Sequence, residues 1–140
     1  MSPVTYLIDT SAVFRVIDAK HVREAWLKNL TEGVIGLCDI TELEIQYSAR
    51  SGADRRAKEQ ILGRLFNWTA VPDGVYSRAR KVQKSLTDRG EHRSAGPVDL
   101  LVAATAELSG LTLLHYDKDF DAIARVTGQP ARWIAPPGTA

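Results

Sequence analysis

The sequence has few features that would cross-link the chain or anchor it to a membrane. Its single cysteine, Cys38, excludes an intramolecular disulfide and a cysteine-rich zinc site, and it favours a reducing, cytoplasmic setting. No segment approaches the about 18 consecutive apolar residues of a membrane-spanning helix, and no basic stretch marks a secretory signal, so we expect no membrane association. The 18 Lys and Arg residues nearly balance the 17 Asp and Glu residues, which excludes a histone-like polycation or an acidic-tail protein.

What the chain does contain is typical of one globular α/β domain. Its 140 residues, 44% apolar and 25% charged, suffice to bury a core, and we expect a single domain over 1–140 with a flexible tail at about 136–140. Short β-rich runs alternate with segments of helical periodicity, which predicts a central parallel β-sheet flanked by α-helices. The predicted strands lie at 4–8, 34–38, 68–71, 111–115 and about 133–134, and the predicted helices at about 12 onward, 20–30, 39–47, 54–66, 73–86, 97–108 and 118–125.

Apolar residues at helical spacing indicate which faces point inward. In the helix over 39–47, we expect Ile40, Leu43 and Tyr47 to form the buried stripe. The three tryptophans also fall within periodic elements, and we interpret them as core residues rather than base-stacking platforms: Trp26, Trp68 and Trp133.

Four carboxylates fall where a parallel sheet places its ligand site. Asp9 ends the first predicted strand and Asp117 follows the fourth by two residues, and ligands of open parallel sheets bind beyond the carboxyl ends of the strands. Asp99 lies in the first turn of a helix that is apolar nearly all round and that Pro97 opens. Glu44 lies in the middle of the helix that follows the second strand. The four acids are therefore expected to converge on one edge of the sheet.

Each acid also has a simpler explanation when it is taken alone. Asp9 could be only a helix cap, Asp99 only a partner of the helix dipole, and Glu44 only a solvated side chain. Glu42 and Glu44 lie about 200° apart around a helix axis, so both cannot face one site, and we interpret Glu42 as the solvent residue. The shared position of the four acids at one edge favours a common site.

Four carboxylates in one pocket require a cation or raised pKa values. A set of oxygen ligands without His or Cys suits Mg²⁺ or Mn²⁺ rather than zinc, and such a cluster supports in-line displacement at a phosphodiester. A calcium-binding loop starting at Asp117 is excluded, because its sixth position is Ala122 instead of glycine and its twelfth is Gly128 instead of glutamate.

Four segments resemble the acidic motifs of PIN-domain ribonucleases: 7–12, 41–49, 97–104 and 117–120. The compact length and the His-Tyr-Asp-Lys-Asp-Phe stretch at 115–120 are similar to VapC toxins of VapBC toxin–antitoxin systems, particularly actinobacterial ones. The resemblance implies a three-layer PIN-like fold. It also implies a Mg²⁺- or Mn²⁺-dependent endoribonuclease, the toxin of a type II system, that cleaves structured RNA such as tRNA or rRNA and inhibits translation.

Motif by motif, the resemblance assigns a role to each acid. It implies catalysis and metal binding by Asp9, Glu44, Asp99 and Asp117, with Ser11 and Asp119 in support. Glu44 is preferred over Glu42 because an apolar–polar–aromatic–small run follows it at 45–48. Many relatives carry threonine at the position of His115 or Tyr116, and we interpret His115 as a core or edge histidine rather than a general acid.

The resemblance also implies partners. These are an RNA substrate, a cognate VapB-type antitoxin that occupies the active-site groove, and a second copy of the toxin in a homodimer, for which the apolar helix faces near Tyr47 and Leu62 could supply the interface. The alternative function is a catalytically inactive PIN domain that binds protein or RNA. A haloacid-dehalogenase-like phosphatase or a metal-dependent adhesion-type module would leave Glu44 and Asp99 unexplained.

The charges are unevenly distributed along the chain. Residues 50–93 carry eleven basic and five acidic residues, a net +6, and the remainder is −5. A basic region beside an acidic pocket is the layout expected for holding a phosphate backbone at a metal site. Within the basic segment, Arg50 and Arg93 are the candidate RNA-binding residues because each lies at a helix end or loop near an acidic motif. Most of the other cations we interpret as solvated helix faces.

Overall fold

The computed structural model describes residues 3–140, which form alternating strands and helices. In chain order these are β1 (Tyr6–Ile8), α1 (Thr10–Asp18), α2 (Lys20–Ala25), α3 (Leu27–Glu32), β2 (Ile35–Leu37), α4 (Asp39–Tyr47), α5 (Gly52–Leu65), β3 (Asn67–Trp68), α6 (Val75–Asp88), α7 (Pro97–Leu108), β4 (Thr112–His115), α8 (Asp119–Thr127) and β5 (Ala131–Trp133).

The five strands pair in parallel in the order β3-β2-β1-β4-β5. Leu7 of the central strand β1 lies opposite Gly36 of β2 on one side and Leu113 of β4 on the other. Gly36 is required by close packing, since a Cβ at this position would collide with the Thr69 hydroxyl and come within 2.9 Å of Val4 Cγ1. The predicted central parallel sheet flanked by helices is confirmed.

The two faces of the sheet bury separate apolar clusters because successive strand residues point to opposite sides. Leu7 packs with Leu86, Leu113 and Phe120 beneath α6, α7 and α8. The next residue, Ile8, packs on the opposite face with Ile35 of β2 and with residues of α1 to α5, among them Val13, Ile45 and Leu62. Helices therefore pack against both faces of the central strands.

The helix predicted over 20–30 is divided into α2 and α3 at Trp26. This residue leaves the helical conformation, with φ −104° and ψ 8°, and its indole Nε1 donates a hydrogen bond to the Ile134 carbonyl at 2.8 Å. Trp26 is buried, as predicted. The position of the break depends on a contact with a residue more than 100 positions away, so local periodicity did not reveal it.

The predicted inward stripe of α4 is wrong at two of its three positions. Leu43 is 74% exposed and Tyr47 is 93% exposed, whereas Thr41 and Ile45 are buried. Ile40 is partly buried and packs against the core, whereas Thr41 and Ile45 occupy the buried side in place of Leu43 and Tyr47. The apolar face of α4 that includes Leu43 and Tyr47 is called the α4 surface below.

Two further burial predictions are wrong. Trp68 is 65% exposed, and its Nε1 donates to Asp39 Oδ1 at 2.9 Å, because β3 is the edge strand and its second face has no covering element. Trp133 is only partly buried. Leu62 lies in the core at 3% exposure and cannot contribute to a dimer interface.

The C-terminal tail, for which flexibility is predicted, makes two contacts with the body of the protein. His21 Nε2 lies 2.9 Å from the Thr139 carbonyl oxygen, and the Ala140 N–H donates to Tyr116 Oη at 3.0 Å. Among residues 3–140, no helix has the length and apolarity to cross a membrane.

Candidate active site

The sheet reverses its strand order between β1 and β4. From β1 the chain builds outward to β2 and β3, and it then returns to the opposite side of β1 with β4. In open α/β sheets, the crevice beyond the carboxyl ends of two such strands is the usual ligand site. Asp9 directly follows β1, and Asp117 lies two residues beyond β4. The topology therefore places both acids at this crevice.

Asp9 connects β1 to α1, and Ser11 fixes its orientation. Asp9 Oδ2 accepts hydrogen bonds from Ser11 Oγ at 2.8 Å and from the Ser11 N–H at 3.0 Å. Ser11 Oγ also accepts from the Tyr116 N–H at 2.9 Å, which ties the ends of β1 and β4 together. Burial raises the pKa of Asp9 even though these bonds act in the opposite direction, and nearby Glu44 raises it further.

The second carboxylate oxygen of Asp9 has a different environment. Asp9 Oδ1 is buried and accepts no hydrogen bond from any part of the chain that the structure describes. A buried carboxylate oxygen without a donor is costly. It is therefore suited to a cation or to a water molecule bound to one.

Glu44 reaches the same crevice from α4. Its Oε1 accepts a hydrogen bond from Thr10 Oγ1, in the residue directly after Asp9. Glu42, in contrast, lines a separate groove against Leu37 and Trp68. The geometry agrees with the choice of Glu44 over Glu42. Sequence reasoning did not identify Thr10 as a functional residue because its partner is 34 residues away in the sequence.

Asp99 approaches from the N-terminus of α7. Its Oδ2 accepts from the Gly96 N–H at 3.2 Å, so it serves the helix start as well as the crevice. Burial is the main cause that raises the pKa of Asp99 to about 6, and repulsion from Asp9, Glu44 and Asp117 adds to it. Asp9, Glu44 and Asp117 therefore lie within electrostatic range of Asp99.

Asp117 is positioned by the backbone around it. Its N–H lies 3.2 Å from His115 Nδ1, and its Oδ1 accepts from the Asp119 N–H at 2.9 Å. Burial and the neighbouring Asp117 raise the pKa of Asp119. His115 is fully buried and packs between Phe120 and Trp133, with ring centroids 5.1 and 5.0 Å away. Burial lowers its pKa, which fits a core histidine.

The four acids have the chemistry of a Mg²⁺ or Mn²⁺ site, although their spacing limits direct contacts. Within residues 3–140, no group of three or more His, Cys, Asp or Glu side chains is arranged to hold a metal ion. Mg²⁺ usually keeps several waters and binds through one or two carboxylates, so such a cluster can still hold a hydrated ion. The oxygen-only donors, the unpartnered Asp9 Oδ1 and the raised pKa of Asp99 fit that group.

The two predicted RNA-binding arginines lie in different places. Arg50 is exposed, and its N–H donates to Asp54 Oδ2 at 2.9 Å at the start of α5. Arg93 is exposed on the loop between α6 and α7, where it lines a groove that also contains Asp119. Lys118 and Arg125 line the same groove. Sequence reasoning missed these two because they lie outside the basic segment 50–93.

Residues 6–126 match the PIN domain family. The parallel α/β fold is also that of the DNA-bound VapBC complex from Salmonella typhimurium, with a TM-score of 0.75 at 20% identity over 94% of this chain and 99% of that one. The class of protein is therefore a PIN domain.

Closer relatives narrow the class. The chain is 41% identical over 135 residues to Ribonuclease VapC21 of Mycobacterium tuberculosis, covering 96% of this chain and 97% of the relative. It is 44% identical over 131 residues to Ribonuclease VapC2 of the same organism, covering 92% of each. The chain belongs to the PIN-domain family and, within it, to the VapC ribonucleases. The resemblance identified from the sequence is confirmed.

Proposed function

We propose that this protein is a metal-dependent endoribonuclease toxin that cleaves structured RNA, such as tRNA or rRNA, and thereby inhibits translation. The observation that carries the proposal is the convergence of Asp9, Glu44, Asp99 and Asp117 at the point where the sheet reverses its strand order. Membership of the VapC ribonucleases supports the choice of RNA as the substrate.

The residues of the proposed site have different roles. The four acids would hold Mg²⁺ or Mn²⁺ through carboxylate oxygens and intervening waters, and the bound ion would activate water and stabilise the leaving oxygen. Ser11 fixes Asp9, and Thr10 fixes Glu44. The backbone N–H of Asp119 holds one oxygen of Asp117, and we propose that its carboxylate, which senses Asp117, supports the site.

The proposed partners are a VapB-type antitoxin and a second copy of the toxin. The similar structure from Salmonella typhimurium is a VapBC complex, which supports an antitoxin partner. The α4 surface, with Leu43 at 74% and Tyr47 at 93% exposure, offers apolar area of the kind that interfaces bury.

Cleavage by purified protein tests the proposal. Total tRNA and rRNA would be incubated with Mg²⁺, with Mn²⁺ or with a chelator, and the cleaved ends would be mapped. We expect cleavage that needs the cation and that Asp9→Ala or Asp99→Ala abolishes, by at least a hundredfold. The control Asp73→Ala removes an exposed acid before α6 and should cleave as wild type does.

Two results would contradict the proposal. If wild-type protein leaves both RNAs intact with either cation while it still binds RNA, the inactive binding module is the better description. If Asp99→Ala cleaves as fast as wild type, the four-acid site is wrong.

A further inference from the structure

A groove lined mostly by charged and polar side chains lies along the start of α8. Its volume is about 460 Å³, and it lies between the loop that follows α6 and the first turns of α8. Asp119 lines the groove and donates its N–H to Asp117 at 2.9 Å, so the groove opens beside the proposed site of cleavage. Three cations and three acids line this α8 groove: Arg93, Lys118, Arg125, Glu91, Asp119 and Asp121.

The opposite charges of the α8 groove lie at different depths. Arg93, Lys118 and Arg125 are exposed and form its rim. The side chains of Arg93 and Lys118 form no hydrogen bond or ion pair with any described residue, and Arg125 only approaches Glu91 at 3.6 Å. The rim therefore presents cationic groups that are free to bind an anion from outside.

The acids of the α8 groove are half-buried and form its floor. Asp121 Oδ1 accepts from Trp133 Nε1 at 3.3 Å, and Asp119 lies against Asp117. Negative charge on the floor repels a phosphate from the bottom of the groove. We therefore expect an anionic chain to contact the more exposed rim cations, with its hydrogen-bond donors toward the floor.

We infer that the α8 groove binds the RNA strand beside the scissile phosphate, with Arg93, Lys118 and Arg125 contacting backbone phosphates. Ribose 2′-hydroxyls and base amino groups can donate hydrogen bonds to the floor carboxylates. The inference rests on the proposed function and adds the path of the strand. RNA is favoured over a protein partner because any strand cleaved at Asp117 must cross the adjoining surface, and Asp119, which lines the groove, is hydrogen-bonded to Asp117.

Salt-dependent binding measures the number of phosphate contacts. A fluorescein-labelled single-stranded RNA of mixed sequence would be titrated in a chelator, so that binding does not depend on metal chemistry. The test protein carries Arg93→Ala, Lys118→Ala and Arg125→Ala. The control carries Arg80→Ala, Lys81→Ala and Lys84→Ala, three exposed cations of α6 with the same loss of charge.

The expected result is a reduced salt dependence in the groove variant. The plot of log K against log salt has a negative slope, and each lost phosphate contact reduces its magnitude by about 0.7 for a single strand. The loss of three contacts therefore reduces the magnitude by about 2. The control should change the slope by less than half as much. Circular dichroism and gel filtration of both variants would verify the fold and the oligomeric state, and the single variant Lys118→Ala would replace a triple variant that does not fold.

Three outcomes would overturn the inference. If both variants lose the same salt dependence, RNA binding depends on the overall charge of the protein and not on the α8 groove. If the groove variant keeps the wild-type slope and still cleaves RNA, the strand lies elsewhere and the proposed function stands. If the groove variant binds RNA normally but loses affinity for a VapB-type antitoxin, the groove is a protein site. If the wild-type protein binds RNA through the α8 groove but cleaves no RNA, the proposed function is rejected and the inference about the groove stands.

Discussion

Replacing Asp99 with asparagine should stabilise the metal-free protein above neutral pH. In the native state the pKa of Asp99 is raised from its ordinary value of 3.8 to about 6 by burial and by three neighbouring acids. The ionised carboxylate is therefore less favourable in the folded protein than in the unfolded chain. Asparagine removes the charge, and its carbonyl oxygen can still accept the hydrogen bond that Asp99 accepts from the Gly96 N–H.

The magnitude follows from the raised pKa. One pKa unit corresponds to about 1.4 kcal/mol, so a rise from 3.8 to about 6 sets an upper limit of about 3 kcal/mol. Solvent screening at a half-buried carboxyl lowers this value, and we expect a gain of about 1–2 kcal/mol in the free energy of unfolding at pH 8.

The pH dependence gives the sign of the effect. As pH rises from 3.8 toward 6, the unfolded chain ionises Asp99 before the native protein does, so wild type loses stability over this window. The variant has no such loss. The gap between the two proteins should therefore be small near pH 4 and should widen as pH rises through 6, after which it stays constant.

Urea denaturation followed by circular dichroism at pH 5 and pH 8 measures the gap. Asp73→Asn, an exposed acid, is the control and should show no gain. Mg²⁺ or Mn²⁺ should stabilise wild type more than Asp99→Asn, because the cation favours the ionised cluster. A variant less stable than wild type at pH 8 without metal, or a gap that narrows with rising pH, would refute the electrostatic reasoning.

Two further substitutions test the structure around the site. Ser11→Ala removes the hydroxyl that bonds both Asp9 and the Tyr116 N–H, so it should lower the free energy of unfolding by about 1–3 kcal/mol and slow cleavage. Ser11→Thr should retain most of the stability and of the cleavage rate. An unchanged cleavage rate in Ser11→Ala would remove Ser11 from the site. Gly36→Ala places a Cβ against the Thr69 hydroxyl in the sheet. Thermal denaturation should show a loss of about 1–3 kcal/mol in the free energy of unfolding. A melting temperature equal to that of wild type would show that the sheet relaxes freely at this position.

Much of the fold could be predicted because its local signals agree with its tertiary structure. Proline at the start and Ser-Gly at the end delimit α7, which spans Pro97–Leu108 as predicted. The prediction failed where burial depends on neighbours that the local pattern does not contain. Leu43 and Tyr47 have helical spacing, but the side of α4 that faces the sheet carries Thr41 and Ile45.

The candidate site divides in the same way. The positions of Asp9 and Asp117 after parallel strands indicated a common edge, and the structure places both there. Thr10 was missed because its role depends on Glu44, which is 34 residues away in the sequence. Lys118 and Arg125 were missed because they become neighbours of Arg93 only when α8 packs beside the loop after α6.

The sequence by itself determined the succession of strands and helices along the chain and which ends of these elements carry the acids. The hydrophobic period and the helix caps that indicate them are properties of adjacent residues. Only the tertiary structure decided which acids meet. The return of the chain to the far side of β1 brings Asp117 beside Asp9, and the packing of α4 and α7 adds Glu44 and Asp99. Charge repulsion and loss of solvent depend on distances in space, so the raised pKa of Asp99 exists only in the folded protein.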